Sequence, residues 1–317
     1  MRLRVALVLI LTSSMLGAPT ASATDHDAAR PGVRVDEVVH RVVWDASRRN
    51  GPALVLRSAN LDGSDERLIY RRKKGWTLWL VMNRVGSEVA MAPFPGRRRW
   101  ASLVVVDTVD GGHTDLLRNH RRFADVGGIG WSPEGNRLVF EGLVLEHGEP
   151  NHYLFTIHRD GTGLKRLVRI RQKPNVGGLT PALAWTVDEG IFYTELGNLM
   201  RYDRGKRHKV LERVGTLRIS GDGSVLILER FTQAGASLWR MSPDASELTR
   251  IVNKTRPHPR AGYILYPTPD YDGELLLSAV DGLADSGIAD VVWPAHRAPT
   301  RSDPRLDFVG SYLLAWN

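Results

Sequence analysis

Four short runs of basic residues are the groups in this sequence whose type and spacing point most directly to chemistry. They read RRKK at 71–74, RNHRR at 118–122, RIRQK at 169–173 and NKTRPHPR at 253–260. The arginine guanidinium is a planar fork that matches phosphate and carboxylate groups in two-point contacts. The runs predict a set of ligand-binding residues: Arg71, Arg72, Lys73, Lys74, Arg118, Arg121, Arg122, Arg169, Arg171, Lys173, Lys254, Arg256 and Arg260.

Each basic run, taken singly, is equally typical of an ordinary solvated surface. Gathered at one end of a fold, the four runs would instead create a positive field that attracts an anionic polymer or an acidic protein. The elements that carry the runs therefore decide between these two interpretations.

Carboxylates offer a second chemistry, the cleavage of a polysaccharide, which needs two acids facing each other across a cleft. Two acidic segments on expected loops qualify, EGLVLEHGEPN and VDGLADSGIAD. Most loop acids are solvated, so we predict a protein without catalytic residues, with a polysaccharide lyase or glycoside hydrolase as the alternative. The candidate acids are Glu141, Glu146, Glu149, Asp281, Asp285 and Asp290.

The sequence lacks signatures of metals and cofactors, since it has no cysteine, no H-E-x-x-H and no phosphate-binding glycine loop. His152 and His158 share a strand face by their even spacing, but two histidines without a third ligand are more typical of exposed strand positions. Asp62, Asp110 and Asp160 each precede a glycine, a pair that marks tight hairpins and explains the aspartates without calcium. We predict no metal and no cofactor.

An internal repeat predicts the elements that position these residues. One apolar segment recurs six times, as WTLWL, GGIGW, PALAW, GTLRI, GYILY and YLLAW. A turn and a second apolar strand follow most copies, as in SPEG before RLVFEG, and a further hairpin completes most units. The copies align on Trp79, Trp131, Trp185, Ile219, Tyr266 and Trp316.

Four short antiparallel strands that recur at roughly 40–50 residues predict an all-β fold, a six-bladed β-propeller with four-stranded blades. A β-sandwich is the rival all-β fold, but it does not predict the same four-strand cassette in order. The first strand of each blade lines the axis of a propeller. We therefore expect Trp131 and Trp185 to pack in the core between blades rather than to bind a ligand.

Residues 131–167 resemble the WD40-like repeat of TolB-type β-propellers. The resemblance rests on WSPEGNRLVF followed by YLFTIHRDGTGLKRL, and the other units match it in part. TolB itself carries an additional α/β domain ahead of its propeller, whereas we expect only a short leader here. The repeat positions of the family are structural, so the resemblance implies the propeller fold and carries over no catalytic residue.

The ends of the chain are expected to meet in one composite blade. YLLAW copies the innermost strand, DEVVHRVVW at 36–44 supplies a second strand, and the hairpin at 54–70 supplies the third and fourth. Such pairing would close the ring and remove its exposed edges. Because strands alternate in direction, all blade-to-blade connections, and with them the basic runs, should lie at the same end.

Residues 1–23 have the pattern of a secretory signal peptide, with two arginines, an apolar run and a cleavage site at Ala21-Ser22-Ala23. We expect a flexible leader over 24–32 and the propeller over 33–317, without a transmembrane segment after cleavage. The net charge of +8 favours acidic partners. The sequence thus predicts a secreted or extracytoplasmic, monomeric, non-catalytic binding module of the cell envelope. Its expected partner is an envelope protein or an anionic polymer, not nucleic acid.

Overall fold

The fold is all-β, as predicted. The computed structural model describes residues 41–46, 53–60, 63–73, 75, 77–93, 101–118, 120–171, 183–188, 190–232, 235–252, 263–269, 273–284, 287–297, 300, 302, 305–306 and 314–316. These residues form 24 strands in six antiparallel sheets of four strands each.

The first sheet joins strands from the two ends of the described chain. Its order is β24-β1-β2-β3, and Val43 pairs with Ala315 on one side and with Ser58 on the other. The strands are β1 (Arg41–Asp45), β2 (Leu54–Asn60), β3 (Arg67–Arg72) and β24 (Leu314–Trp316).

A buried arginine fastens β1 within this sheet. Arg41 Nε donates to Ser58 Oγ at 2.6 Å, and its Nη1 donates to Asn60 Oδ1 at 3.1 Å and to Asp65 Oδ2 at 3.0 Å. A buried guanidinium is tolerated only when paired and hydrogen-bonded, so Arg41 has a structural role.

The other five sheets are each formed by four strands that follow one another in the chain. The second sheet contains β4 (Thr77–Met82), β5 (Glu88–Pro93), β6 (Val104–Asp107) and β7 (His113–Asp115). The third contains β8 (Phe123–Trp131), β9 (Arg137–Glu146), β10 (Glu149–His158) and β11 (Lys165–Ile170).

The fourth sheet contains β12 (Leu183–Trp185), β13 (Ile191–Glu195), β14 (Asn198–Asp203) and β15 (Lys206–Glu212). The fifth contains β16 (Val214–Ile219), β17 (Leu226–Thr232), β18 (Gly235–Met241) and β19 (Thr249–Val252). The sixth contains β20 (Tyr263–Pro269), β21 (Leu275–Ala284), β22 (Gly287–Pro294) and β23 (Arg305–Leu306).

The first strand of each sheet contacts the first strand of the next. The contacts run from β4 to β8, β12, β16, β20 and β24, and from β24 back to β4. Because the strands alternate in direction, the sheets have two distinct ends. At one end, hairpins join the first strand of a sheet to the second and the third strand to the fourth. We call this the turn end. The connection end carries the second-to-third hairpins and the passages between sheets.

The strand register corrects two positions of the repeat alignment. Trp131 pairs with Leu138 across the first turn of its sheet, and the residues in the same place are Met82, paired with Val89, and Pro269, paired with Leu276. Aligning Trp79 and Tyr266 with Trp131 was therefore wrong by three residues. The segments have similar apolar sequences, so the sequence did not show that β4 and β20 continue three residues further before they turn.

An aromatic cluster forms the core of the third sheet. The rings of Phe123 and Phe155 pack edge to face with centroids 4.9 Å apart, and Phe140 joins them. A Cβ on Gly142 would lie 2.7 Å from the Phe123 ring and 2.9 Å from the Phe155 ring. Glycine at 142 is thus required by the close approach of the two rings.

Candidate functional site

One hydrogen-bonded turn recurs at the turn end of three sheets. In the third sheet, Ser132 N–H donates to Arg137 O and Gly135 N–H donates to Ser132 O, both at 2.9 Å. The side-chain oxygens of Asn83, Ser132 and Ser220 each accept the backbone N–H five residues further on, at 3.2, 3.1 and 2.9 Å. The turn end is therefore fixed by side chains that bond to their own backbone.

Aspartates secure the turns in the same way. Asp160 Oδ1 accepts the backbone N–H and the hydroxyl of Thr162 at 2.8 and 2.7 Å, and Asp110 Oδ1 accepts the N–H of Gly112 at 2.7 Å. The predicted turn role is confirmed for these two residues, and Asp62 lies outside the described residues.

The same bonds make the turn carboxylates more acidic. The Thr162 hydroxyl, followed by its N–H, holds the pKa of Asp160 below its ordinary value. Hydroxyl bonds from Ser242 and Ser246 lower the pKa of Asp244 to about 2. Both carboxylates are therefore ionised at neutral pH.

A pocket opens at the turn end where four innermost strands finish. It is a shallow pocket that is open to solvent. Its wall is formed by residues from four sheets, namely Leu80 to Arg84, Ile129, Trp131 to Pro133, Leu183, Trp185, Arg218 to Gly221 and Gly223. The wall is mainly apolar and also carries the guanidinium-bearing side chains of Arg84 and Arg218, and none of these lining residues is a carboxylate.

Two tryptophans form part of the pocket wall. Trp131 and Trp185 are both buried, as predicted, and both also line the pocket. Trp131 Nε1 donates to Val81 O at 2.8 Å, which ties β8 to β4. Trp185 lies beneath the guanidinium of Arg137, 4.9 Å from the ring centroid, and its Nε1 has no hydrogen-bond partner among the described residues.

The connection end carries the described part of the basic runs. Arg71 and Arg72 end β3, Lys73 follows them, and Arg169 and Arg171 lie at and after the end of β11. Arg118, Arg121 and Arg122 lie in the passage from β7 to β8. Arg72 is half-buried and the other seven are exposed. Five residues lie outside the described residues: Lys74, Lys173, Lys254, Arg256 and Arg260.

None of these eight described side chains forms a salt bridge with another described residue. The hydrogen bond from the Tyr153 hydroxyl lowers the pKa of Glu146, and the nearby Arg166 and Arg169 lower it further. Arg122 packs over the rings of Phe123 and Phe155, 5.3 and 5.5 Å from their centroids. Arg122 thus contributes to packing as well as to surface charge.

A buried carboxylate fixes the backbone of one basic run. Glu195 Oε1 accepts the backbone N–H of Arg171 at 2.8 Å and pairs with Arg207 Nη1 at 3.2 Å. Arg207 Nη1 also donates to Arg169 O at 3.3 Å. Burial, together with the nearby Glu195, raises the pKa of Tyr193 to about 12. Sequence reasoning missed this group because its members come from three strands and a connection.

His152 is not the exposed strand histidine that its spacing predicts. Its Nδ1 lies 2.6 Å from Oε1 of Glu141, a side chain with 1% exposure. Asp125 lies near them on β8, and burial raises the pKa of its carboxyl. The sequence prediction failed because β9 extends to Glu146, which places Glu141 inside the sheet rather than on a loop.

The other described candidate acids lie in the third and sixth sheets. Glu146 accepts the Tyr153 hydroxyl at 2.6 Å and pairs with Arg166 at 2.9 Å, while Glu149 begins β10 and is exposed. Asp281 and Asp290 lie on the paired strands β21 and β22 rather than on a loop. Asp285 lies outside the described residues.

Solved structures resemble this fold closely enough to classify it. TolB from Acinetobacter baumannii has a TM-score of 0.64 at 13% identity, over 88% of this chain and 67% of that one. A nidogen/laminin complex gives 0.54 at 12% identity, over 81% of this chain and 89% of that one. The fold is that of a TolB-like β-propeller.

Propellers of this type include enzymes. An oligogalacturonate lyase in complex with manganese has a TM-score of 0.52 at 11% identity, over 80% of this chain and 73% of that one. No family model and no curated protein matches the chain. Within the described ranges, no helix has the length and hydropathy that a membrane crossing requires. These similarities show the TolB-like propeller fold, and function has to be argued from the two ends of the sheets.

Proposed function

We propose that this chain is a non-catalytic binding module whose connection end binds an anionic polymer. The observation that carries the proposal is the set of exposed arginines that end or follow the outer strands in three successive sheets. Two nearby acids at this end hold partners of their own: Glu146 pairs with Arg166 and Glu195 with Arg207. The positive charge of the basic runs is therefore open to a partner.

The physical basis is a summed field together with arginine geometry. Exposed cations spaced along one rim raise the local concentration of a polyanion. Each guanidinium then matches one phosphate or carboxylate group in two parallel hydrogen bonds. Exposed pairs are screened by salt, so the affinity falls as the ionic strength rises.

The composition of the turn-end pocket supports binding rather than acid–base catalysis. Glycoside cleavage needs two carboxylates across a cleft. The pocket wall instead combines apolar side chains with Arg84 and Arg218. A polysaccharide lyase or glycoside hydrolase is the alternative function, and it predicts new unsaturated or reducing ends when the protein is incubated with polygalacturonate.

We also propose that the six sheets are the blades of one closed propeller. Support comes from the contacts that pass from β4 through each innermost strand to β24 and back to β4. The pairing of β24 with β1 would make the first sheet the composite blade that closes the ring.

The proposed setting is the cell envelope. A signal peptide cleaved after Ala23 would export the chain to the periplasm or cell wall as a monomer, with an envelope polymer or protein as partner. Intact mass and N-terminal sequencing of exported material test the cleavage. A product that keeps Met1 in a membrane fraction contradicts it.

Charge reversal tests the binding proposal. Because Arg122 also packs on aromatic rings, the variant changes four other exposed arginines to glutamate, namely Arg71, Arg118, Arg121 and Arg169. We expect its affinity for polyphosphate, measured by fluorescence anisotropy, to fall by about tenfold or more because the rim field reverses. The melting temperature should stay near that of the parent chain. Unchanged affinity would show that the runs are only a solvated rim.

A further inference from the structure

Three exposed apolar side chains lie at the connection end of successive sheets. Leu145, Leu196 and Phe231 are 55%, 41% and 39% exposed. Each lies at or beside the tip of a hairpin that joins the second and third strands, namely β9–β10, β13–β14 and β17–β18. Because contacts join β8 to β12 and β12 to β16, the three hairpins belong to neighbouring sheets.

Leu196 occupies a position where the fold itself disfavours leucine. Its φ is 53° and that of Gly197 is 81°, so both residues of this two-residue turn are left-handed. Such turns favour asparagine or aspartate followed by glycine, because an ordinary side chain crowds the backbone at positive φ. In the neighbouring hairpin, His147 and Gly148 have the same conformation with a polar first residue. An exposed leucine kept in a strained turn indicates a role outside folding.

Backbone hydrogen bonds connect two of these positions through one short segment. Val214 N–H donates to Gly197 O at 2.9 Å, and Phe231 N–H donates to Arg213 O at 2.7 Å. The Leu196 hairpin and Phe231 thus flank the adjacent pair Arg213 and Val214. Arg213 is exposed, so a cation lies between the two apolar groups.

Cations also lie beside the third apolar side chain. Leu145 precedes Glu146, whose carboxyl pairs with Arg166 at 2.9 Å and lies near Arg169. Glu212, next to Arg213, pairs with Lys209 at 2.5 Å. Glu149 is the acid at these hairpins that is exposed and forms no salt bridge with a described residue. The surface around the three apolar groups therefore keeps an excess of arginine.

We infer that the connection end of the third to fifth sheets docks on an anionic lipid bilayer. Leu145, Leu196 and Phe231 would enter the interface while the neighbouring arginines contact headgroup phosphates. This inference rests on the proposed anion binding at the same end and adds an anionic bilayer to the partners that this end would bind. A phosphate polymer has no apolar region to cover these side chains, whereas a bilayer offers phosphate and hydrocarbon together.

The test separates apolar docking from charge. The variant Leu145→Gln, Leu196→Asn, Phe231→Gln keeps every charge, and Val187→Asn is the matched control, since Val187 is 52% exposed in a hairpin at the turn end. Binding is measured by co-sedimentation with vesicles of equal phosphatidylglycerol and phosphatidylcholine, with pure phosphatidylcholine vesicles as a second arm, and with polyphosphate in solution.

We expect the parent chain to bind the anionic vesicles and not the neutral ones. The triple variant should lose about tenfold or more in vesicle affinity and keep its polyphosphate affinity, because lipid insertion scales with apolar contact. Leu196→Asn alone should weaken vesicle binding and yet raise the melting temperature, since it relieves the strained turn. A merely structural role for Leu196 would move the two readouts together. Val187→Asn should leave vesicle binding unchanged.

The results that would overturn lipid docking differ from those that would overturn anion binding. A parent chain that binds polyphosphate but no vesicles, or a triple variant that binds vesicles as the parent does, would overturn lipid docking and leave anion binding in place. Equal losses toward vesicles and polyphosphate would also overturn it, because the apolar side chains would then act through the fold. A parent chain that binds neither probe contradicts both proposals.

Discussion

The two ends of the sheets use their polar side chains in opposite ways. At the turn end, Asp160, Asp244 and Ser132 bond to backbone or side-chain groups within their own turns. At the connection end, Arg71, Arg121 and their neighbours are exposed and form no salt bridge with a described residue. The repeat thus secures the turn end through its own side chains, whereas the connection end keeps exposed arginines beside the bonded Glu146 and Glu195.

The ends also differ in where apolar side chains lie. Trp131 and Trp185 are buried behind the turns, where they join neighbouring sheets. Leu145, Leu196 and Phe231 are exposed at the other end, although the Phe231 ring also lies against Gly215. Substitutions at the turn end should therefore act on stability, and substitutions at the connection end should act on binding.

Removal of the last strand should have the largest effect, because β24 pairs with β1 and contacts β4 and β20. Deleting residues 311–317 removes β24 and leaves β1 with an unpaired edge. We expect a chain that unfolds at a much lower temperature or aggregates, as seen by calorimetry and light scattering. A deletion variant that melts like the full chain would show that closure does not depend on β24.

Truncation of Trp131 should have the second-largest effect on stability. Trp131→Ala removes a buried ring and its bond to Val81 O, which should lower the free energy of unfolding by about 3–5 kcal/mol. Trp131→Phe, which loses mainly the hydrogen bond, should cost about 0.5–1.5 kcal/mol. Leu145→Ala at the connection end should change stability by no more than about 0.5 kcal/mol. Urea unfolding measures all three, and a similar cost for Trp131→Ala and Leu145→Ala would remove the contrast between the ends.

Acid should weaken the turn end. Hydrogen bonds hold the pKa of Asp160 below its ordinary value and that of Asp244 at about 2, so their stabilisation is present above the unfolded value of about 3.9. It is lost as the pH falls through the lowered values. The stability difference between the parent chain and Asp244→Asn should thus shrink between about pH 4 and pH 2. A difference that stays constant over this range would show that Asp244 has no depressed pKa.

Asp125, near the connection end, should show a smaller effect of opposite sign. Burial raises the pKa of its carboxyl, so ionisation disfavours the folded state and stability is lost as the pH rises through the unfolded value. Asp125→Asn should therefore be more stable than the parent chain at neutral pH and equal to it in strong acid. Urea midpoints at both pH values measure this. A variant less stable than the parent at neutral pH would mean that the Asp125 carboxylate stabilises the fold.

The sequence was sufficient for the class of fold because its local signals agree with each other. SPEG before RLVFEG predicts a turn and strand, and the structure places Ser132 and Gly135 in that turn. Trp79 was aligned with Trp131 in error because both lie in similar apolar segments. The composition of a strand does not fix the residue at which it ends. Only pairing across the sheet, as between Met82 and Val89, settles that position.

The candidate sites were less predictable because sequence spacing does not reveal which side chains the sheets bring together. Arg84 and Arg218 line one pocket although they belong to the second and fifth sheets. Glu141 was expected on a loop, yet it is buried beside His152. The basic runs were visible as charge, but the packing role of Arg122 required the positions of two phenylalanine rings.

Chemical protection of individual arginines tests whether the connection end binds the polyanion. Phenylglyoxal modification followed by mass spectrometry, with and without polyphosphate, reports which guanidinium groups the polyanion covers. We predict protection of Arg71, Arg121 and Arg169 at the connection end, lost at high salt, while the exposed Arg204 at the turn end reacts as before. Protection of Arg84 and Arg218 in the turn-end pocket, with Arg71, Arg121 and Arg169 still reactive, would contradict the account.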